Sequence, residues 1–294
     1  MKKILITGAN SYIGTSFEKY LSQWKDCYQV DTLDLLDNTW RTKSFSGYDA
    51  IFHVAGIAHS DNGKISAEKE KLYYAVNTDL TIETAKKAKV DGAKQFIFMS
   101  SAIVYGDSAP IGKSKRITKD TPLSPANCYG DSKVQAEEGI LPLNNEKFHV
   151  VILRPPMIYG KGSKGNYPVL AKMATKLPIF PYVKNERSML YIENLMEFVK
   201  LMVDNEEQGI FWPQNAEYSN TSELVQIIGS VHGKKVRLVK GFTGVLKIVS
   251  CMTGLVNKAF GSLSYDMSLS EYKEKYTVVS LKESIRRTEK ENDG

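Results

Sequence analysis

The chain opens with the stretch KILITGANSYIG at residues 3–14, in which a short apolar run leads directly into a turn that contains two glycines. The run predicts a first β-strand over residues 3–7 and a first helix over 12–24. A glycine at position 8 permits the tight turn, and one at position 14 permits close packing of the helix on the strand. The backbone N–H groups at the start of such a helix bind the phosphates of a dinucleotide. The stretch therefore predicts a dinucleotide cofactor, bound by Gly8, Asn10, Ser11, Tyr12, Ile13 and Gly14, with Ser11 in place of the usual middle glycine.

The first half of the sequence continues to alternate short apolar strands with helical segments. Strands such as FIFMS and VVILR are apolar throughout, as expected when both faces of a parallel sheet are buried. The predicted strands are 3–7, 29–33, 50–54, 95–100 and 150–154, and the predicted helices are 12–24, 67–90, 127–141, 190–204 and 221–231. This alternation predicts an α/β fold with a doubly wound, Rossmann-like parallel sheet and a smaller C-terminal substrate-binding domain. We expect residues 1–155 to form the dinucleotide-binding domain, 188–204 to return to it, and 156–294 to form mainly the substrate-binding lid.

Composition and charge narrow the class of protein further. The three cysteines among 294 residues are far apart and form neither a metal-binding spacing nor a disulfide framework, so a reducing cytoplasmic location is expected. The apolar run before Gly8 is too short for a signal peptide. The net charge is +6, and residues 155–188 carry six basic residues against Glu186 alone, which makes them an anion-attracting segment. The sequence has no stripe in which aromatic and basic residues alternate, so nucleic-acid binding is not expected.

The stretch from Phe242 to Phe260 is apolar enough to raise the question of a membrane. Lys247, Asn257 and Lys258 interrupt it, so a transmembrane helix is not expected. The favoured interpretation is burial against the lid. Peripheral contact with a membrane surface is the alternative.

A tyrosine and a lysine at positions 129 and 133 are the clearest candidates for chemistry. Residues i and i+4 share one face of a helix, so the Lys133 ammonium can lie near the Tyr129 phenol and lower its pKa from the usual value of about 10. A tyrosine tuned in this way transfers a proton to or from an oxygen of the substrate. Ser100 and Ser101 lie upstream, at the end of a predicted strand.

Acidic residues after the second strand bear on the choice of cofactor. Asp34 lies at the carboxyl end of that strand, where it can accept hydrogen bonds from the adenosine ribose of NAD and would repel the 2′-phosphate of NADP. Asp31 is the competing carboxylate. NADP stays possible if Arg41 or Lys43 folds back, so the cofactor is predicted as NAD, with NADP as the alternative.

Taken together, these segments resemble the extended short-chain dehydrogenase/reductase family, the NAD-dependent epimerase/dehydratase group that acts on nucleotide sugars. The resemblance rests on TGANSYIG at 7–14, FHVAG at 52–56, VNT at 76–78, SSAIVYG at 100–106, Tyr129 with Lys133, LRPPMIYG at 153–160 and RSMLYIENL at 187–195. It implies that Tyr129 is the general acid/base, that Lys133 holds the nicotinamide ribose, and that Ser101, rather than Ser100, hydrogen-bonds the reacting oxygen.

The resemblance also assigns residues outside this trio. Ala55, Gly56 and Pro155 would line the cofactor, whereas Asn77 would brace the sheet. Arg187 would bind the pyrophosphate of the sugar nucleotide, which suits a guanidinium fork. Asn166 is a further candidate for substrate binding. A UDP-sugar is the expected substrate, and a homodimer is possible.

Two departures from the family pattern narrow the reaction. Family 4,6-dehydratases carry an aspartate–glutamate pair where Ala102-Ile103 stand here, so a dehydratase is excluded. Met157 occupies the position of an asparagine that contacts phosphate in many 4-epimerases. The chain is most similar to bacterial 4-reductases of capsular-polysaccharide synthesis, which reduce a UDP-4-keto-6-deoxy-N-acetylhexosamine. A UDP-hexose or UDP-N-acetylhexosamine 4-epimerase with bound NAD is the alternative, and a non-catalytic dinucleotide sensor is a distant one.

Overall fold

The structure, a computed structural model, describes residues 1–57, 65–252 and 254–290. The chain forms two compact units. The first unit comprises Met1–Gly106, Pro122–Pro155 and Leu195–Pro213, and the second comprises Asp107–Thr121, Pro156–Asn194 and the chain from Gln214 onward.

Short strands recur along the whole chain. In order they are β1 (Lys2–Thr7), β2 (Tyr28–Leu33), β3 (Ala50–His53), β4 (Gln95–Met99), β5 (Arg116–Ile117), β6 (His149–Leu153), β7 (Met157–Tyr159), β8 (Ile179–Pro181), β9 (Met189–Tyr191), β10 (Gly209–Phe211), β11 (Arg237–Val239) and β12 (Ser264–Tyr265).

Helices separate most of these strands. In order they are α1 (Tyr12–Leu21), α2 (Ala67–Tyr73), α3 (Leu80–Val90), α4 (Cys128–Ile140), α5 (Asn166–Lys176), α6 (Ile192–Asp204), α7 (Thr221–Val231), α8 (Thr243–Met252), α9 (Gly254–Phe260) and α10 (Leu281–Glu289). A wide π-helical turn at Tyr74–Asp79 joins α2 to α3. Within the described ranges, no helix is long and apolar enough to cross a membrane.

A six-stranded parallel sheet forms the centre of the first unit, in the order β10-β6-β4-β3-β1-β2. Its strands β3 and β4 are buried along their whole length, as the continuous apolar runs predicted. The chain adds β2 on one side of β1 and β3 on the other, so the strand order reverses beside β1. In open α/β sheets, ligands bind at the carboxyl ends of the strands at such a reversal.

The second unit is built from three short parallel pairs and the helices that pack on them. β8 pairs with β11, β5 with β12, and β7 with β9. Helix α7 packs against α5 and α10. Residues 107–121, which the sequence analysis placed in the first domain, belong to the second unit because Arg116–Ile117 pairs with Ser264–Tyr265.

The strand and helix predictions of the first half are confirmed to within a few residues. The α1 helix ends earlier than predicted, at Leu21, and continues as a short 3-10 turn over Ser22–Trp24. The expectation that the stretch from Phe242 is buried is wrong for α8, because Phe242, Val245 and Ile248 are exposed.

Candidate active site

The turn between β1 and α1 brings the predicted cofactor residues to the carboxyl end of the sheet. Gly8 has a φ of +88°, and a Cβ atom on it would come within 2.7 Å of the Ala55 backbone nitrogen, so only glycine fits. A Cβ atom on Gly14 would meet the Gly8 carbonyl oxygen and the Ile6 side chain, each at 3.2 Å, which confirms the close packing of α1 on β1. Asn10 takes the left-handed conformation, with φ 66°, that asparagine tolerates better than most residues.

Ser11 caps the α1 helix in place of the missing glycine. Its hydroxyl accepts a hydrogen bond from the Gly14 backbone N–H at 3.0 Å. The backbone N–H groups of Tyr12 and Ile13 meet no acceptor among the described residues, as expected for a first helical turn. The turn therefore combines glycines that admit a ligand close to the backbone with free N–H donors at a helix N-terminus. These features fit the pyrophosphate of a dinucleotide.

The two candidate carboxylates, Asp31 within β2 and Asp34 just after it, differ in their partners. Asp31 accepts a hydrogen bond from the Tyr48 hydroxyl at 2.8 Å and lies 3.9 Å from the Lys3 ammonium. Asp34 is exposed, and one of its oxygens accepts from the Leu36 backbone N–H at 2.9 Å. Asp34 is thus the carboxylate with more capacity left for a ribose.

Arg41 is the nearest arginine that could receive a 2′-phosphate. Its Nε and Nη2 atoms donate to the Glu83 carboxylate, and its guanidinium stacks over the Trp40 ring at 4.8 Å. A cation held in this way is already neutralised. In this structure Arg41 is therefore directed to Glu83 rather than to Asp34.

Asn77 braces the loop that follows β3. Its side chain is fully buried, accepts from the Ile57 backbone N–H at 2.8 Å and donates to the Ile57 carbonyl at 3.2 Å. A Cβ atom on Gly56 would lie 3.0 Å from the Asn77 amide oxygen and 3.5 Å from the Lys133 ammonium. Gly56 and Lys133 are consequently neighbours, as their shared assignment to the cofactor requires.

The predicted trio of Ser101, Tyr129 and Lys133 lies within the first unit. Tyr129 stands in the first turn of α4, which Asn127 caps by accepting from the Gly130 N–H at 2.9 Å. Ser101 precedes the short 3-10 turn Ala102–Tyr105, and its side chain acts on the Tyr129 phenol so as to lower the phenol's pKa. Pro155 holds the serine loop, because its carbonyl accepts from the Ala102 N–H at 2.8 Å.

The choice between the two serines is decided by their partners. Ser100 is buried, and its hydroxyl donates to the Glu137 carboxylate. Ser101, by contrast, contacts the Tyr129 phenol. Ser101 is therefore the serine placed for chemistry at the tyrosine.

The electrostatic prediction for Tyr129 is wrong in this structure. Burial raises the Tyr129 pKa to about 12, the neighbouring Tyr73 adds to the increase, and the Ser101 side chain opposes it. Lys133 donates to the Met99 carbonyl at 2.9 Å, with its ammonium 4.6 Å from the Phe98 ring centre. Burial lowers the Lys133 pKa to about 8, although the Glu137 carboxylate partly offsets this change. Burial removes water from both groups and disfavours their charged forms, and this effect outweighs the attraction expected from the i, i+4 spacing.

A buried ionic network behind the trio was not identified from the sequence. The Arg154 guanidinium donates from Nε and Nη2 to both oxygens of Glu137, at 2.5–3.2 Å, and from Nη1 to the Tyr105 hydroxyl at 2.7 Å. Both charged residues are more than nine-tenths buried. The spacing Tyr129, Lys133, Glu137 places three polar groups on one face of α4 and was the available signal.

Arg187 and Asn166 lie in the second unit. The Arg187 Nη1 atom donates to the Lys258 carbonyl at 2.6 Å and, at 3.3 Å, to that of Gly261, near the end of α9. Burial lowers its pKa, and no carboxylate pairs with it among the described residues. An arginine in this state is suited to an anionic ligand. Asn166 is exposed at the start of α5, directly after Gly165.

Comparison with known proteins identifies the family. The model of the NAD dependent epimerase/dehydratase family matches residues 4–211. The UDP-glucose 4-epimerase of Vibrio cholerae is 28% identical over 291 residues, covering 91% of this chain and 88% of that protein.

Solved structures agree with this fold. The dTDP-4-dehydrorhamnose reductase of Clostridium acetobutylicum matches with a TM-score of 0.73 and 19% identity, covering 97% of this chain and 98% of that one. The UDP-glucuronic acid 4-epimerase of Bacillus cereus, solved in complex with NAD, matches with a TM-score of 0.71 and 17% identity, covering 97% and 96%.

The parallel sheet, its turn of glycines and the Ser–Tyr–Lys site define an enzyme of the short-chain dehydrogenase/reductase type. The chain belongs to the NAD-dependent epimerase/dehydratase family.

Proposed function

We propose that this protein is an NAD-dependent oxidoreductase of nucleotide sugars that reduces a UDP-4-keto-6-deoxy-N-acetylhexosamine at C4, in the synthesis of a surface-polysaccharide precursor. The observation that carries the proposal is the placement of Tyr129 in the first turn of α4 with Lys133 buried one turn later, beside Gly56 of the predicted cofactor loop. Family membership gives the class of reaction. The substrate is inferred from the resemblance of RPPMIYG at 154–160 and AFGSLSYDMSL at 259–269 to the bacterial 4-reductases.

Tyr129 would serve as the acid of the reduction. Because burial raises its pKa to about 12, the phenol is protonated near neutral pH and ready to donate to the oxygen at C4. Ser101 would hold the same oxygen by a hydrogen bond. Lys133, with a pKa lowered to about 8, would bind the nicotinamide ribose and supply positive charge against the negative charge that Tyr129 takes on when its proton passes to the C4 oxygen.

The cofactor residues of the first unit would hold NAD. The α1 N-terminus and its glycines would receive the pyrophosphate, and Asp34 would accept hydrogen bonds from the adenosine ribose. When bound, the nicotinamide supplies the hydride that the protein itself cannot provide. The protein contributes orientation and the proton.

Arg187 would bind the diphosphate of the substrate. Its partly buried guanidinium has no acidic partner among the described residues, and planar donors match a phosphate better than a lysine does. Asn166 would contact the substrate from the start of α5. Ala102 and Ile103 carry no acid or base, so elimination of water at C5 and C6 is not part of the proposal.

A UDP-hexose or UDP-N-acetylhexosamine 4-epimerase is the second candidate. It is favoured by the match to the Vibrio cholerae UDP-glucose 4-epimerase over nine-tenths of the chain. An epimerase uses the same trio, but its tyrosine first removes a proton, and the enzyme keeps its NAD and shows no net redox change.

The test is the cofactor balance of the purified protein. A reductase is expected to be largely free of nicotinamide and to consume one NAD(P)H for each 4-keto sugar nucleotide converted. Absorbance at the reduced-nicotinamide band and chromatography of the sugar nucleotides measure both quantities. Tightly held NAD, with UDP-sugar epimers interconverted and no net oxidation, would establish the epimerase instead.

Three further assignments belong to the same proposal. The first unit acts as the dinucleotide-binding domain and the second as the substrate-binding lid. The reaction takes place in the cytoplasm, where nucleotide sugars would meet a reduced-thiol protein. A homodimer is the expected assembly.

A further inference from the structure

Helix α8 presents an apolar face to solvent. The exposed fractions of Phe242, Val245, Ile248 and Val249 are 49%, 57%, 69% and 37%. With about 100° of rotation per residue, the four side chains fall within one third of the helix circumference. They therefore form a continuous stripe, which we call the α8 stripe.

The opposite side of α8 is the one that packs on the second unit. Thr243, Leu246 and Ser250 are partly buried. The Lys247 side chain passes close to Gly112, where its terminal atoms would lie 3.0 Å from an added Cβ atom. Lys247 is exposed beside Gly112 on this side of the helix, while the aliphatic residues of the other side also lie in solvent, which is unusual for a surface helix.

The chain around α8 is the most cationic part of the sequence. Residues 224–265 contain six lysines and arginines and no aspartate or glutamate, and their net charge equals the +6 of the whole chain. All six cations are exposed, and four of them, Lys234, Lys235, Arg237 and Lys240, lie shortly before α8 in the chain. Lys240 stands two residues before Phe242. The sequence analysis assigned anion attraction to residues 155–188 and overlooked this second segment.

An apolar stripe flanked by cations matches the surface of an anionic lipid bilayer. Such helices lie in the interface, with the apolar face in the lipid and the basic residues at the headgroups. Each lysine or arginine near an anionic leaflet adds attraction that salt screens. Helix α8 has 10 residues and is too short to span the bilayer.

We propose that α8 is a membrane-surface helix, through which the second unit docks on a bilayer that contains anionic phospholipid. The stripe would insert its aliphatic and aromatic side chains, and the cations of residues 234–240 would contact the phosphates. This inference concerns a different surface from the proposed active site and does not depend on the reaction catalysed.

The experiment is co-sedimentation of the full chain with lipid vesicles. Vesicles of phosphatidylcholine mixed with phosphatidylglycerol are compared with vesicles of phosphatidylcholine alone, at low and at raised salt. We expect the protein to bind only the anionic vesicles and to be released by salt.

Two sets of variants locate the surface. Ile248→Asp, alone and with Val245→Asp, is expected to weaken binding about tenfold or more, because a charge replaces an inserted aliphatic group. Val90→Asp is the matched control, since Val90 is 85% exposed on α3 of the first unit, and it should bind like the wild type. Lys234→Glu with Lys235→Glu should weaken binding to anionic vesicles as well. Circular dichroism checks that each variant is folded.

Several results would overturn the proposal. Wild-type protein that stays in the supernatant with anionic vesicles at low salt is one, and unchanged binding of the Val245→Asp, Ile248→Asp variant is another. An equal loss in Val90→Asp would show that added negative charge alone is responsible. If the wild type self-associates in size-exclusion chromatography and Ile248→Asp abolishes this without changing vesicle binding, the α8 stripe is an interface between copies of the chain.

Discussion

At the scale of single residues, Tyr129 is defined by its contacts. The Ser101 side chain acts on its hydroxyl so as to lower the phenol's pKa, and the Tyr73 ring lies 5.9 Å away between ring centres. Burial raises its pKa to about 12 and so keeps the phenol protonated. A protonated phenol can donate a proton, but a pKa this far above neutral makes it a weaker acid than one whose pKa matches the working pH.

Replacing the phenol tests its role directly. Tyr129→Phe removes only the hydroxyl and is expected to lower turnover about a hundredfold or more, the size of a positioned acid's contribution. Thermal stability and dinucleotide affinity should change little. Tyr73→Phe is the matched control, because it removes a hydroxyl from the adjacent buried ring. Near wild-type turnover in Tyr129→Phe would remove this residue from the mechanism.

The lowered pKa of Lys133 predicts how the stability of the fold depends on pH. Its pKa is lowered from 10.5 to about 8 by burial, so the unfolded chain binds more protons than the folded one between these two values. The free energy of unfolding therefore rises with pH across this interval, and the buried ammonium destabilises the fold fully below about pH 8.

Lys133→Met removes this penalty. We expect the variant to be more stable than the wild type at pH 7 by about 1 to 3 kcal/mol, after the lost hydrogen bond to Met99 is subtracted. The difference should shrink as the pH approaches that of an ordinary lysine, while turnover and cofactor binding fall at every pH. Urea unfolding of both proteins at several pH values measures this difference in stability. A stability difference that is constant with pH would contradict a lowered Lys133 pKa.

At the scale of elements, a buried ion pair ties α4 to the end of β6. Glu137 on α4 meets the Arg154 guanidinium, and Arg154 in turn reaches Tyr105, whose hydroxyl also accepts from the Trp212 indole at 2.7 Å. Ser100 joins the same carboxylate from the loop after β4. The helix that carries Tyr129 is thus fixed to two strands of the sheet.

Breaking one side of this pair should be worse than removing both. Glu137→Leu leaves Arg154 buried without a carboxylate and is expected to lose about 3 to 5 kcal/mol of stability. The double variant Glu137→Leu, Arg154→Met should lose much less than the sum of its single variants. Denaturant unfolding of the four proteins completes the cycle. Strict additivity would show that the two charges do not interact.

At the scale of the whole molecule, anion binding by the second unit is the feature that we tie to the substrate. Arg187→Ala is expected to raise the dissociation constant for UDP by one to two orders of magnitude, consistent with a charged hydrogen bond of about 1.5 to 3 kcal/mol. Lys184→Ala and Lys161→Ala, at exposed positions of the same segment, should have far smaller and salt-dependent effects. Isothermal titration calorimetry measures all three.

A larger effect of Lys161→Ala than of Arg187→Ala on UDP affinity would assign the phosphate site to other residues. If Arg187→Ala leaves UDP affinity unchanged while Lys161→Ala abolishes it, the glycine-rich segment at 160–165 becomes the better candidate. Circular dichroism of Arg187→Ala is needed beside the titration, because its Nη1 atom also holds carbonyls near the end of α9.

Much of the first unit was predictable from local signals. Buried parallel strands are continuous apolar runs, and the TGANSYIG turn must follow the first of them, so strand positions and the cofactor turn could be predicted from short windows. The trio could be placed because its spacing matches a helix and a strand end. The partners of Ser100 and Ser101 could not, since adjacent residues of one loop face Glu137 and Tyr129 from distant parts of the chain.

The sequence by itself determined the fold class, the family and the identity of the trio, because these depend on residue type, period and order along the chain. Only the tertiary structure decided the direction in which the pKa values of Tyr129 and Lys133 shift, which follows from desolvation by residues far away in sequence. It likewise decided that the apolar face of α8 lies in solvent. The sequence pattern of an apolar helical stripe is the same whether or not another element covers it. Burial depends on how the chain packs, so it is known only from the structure.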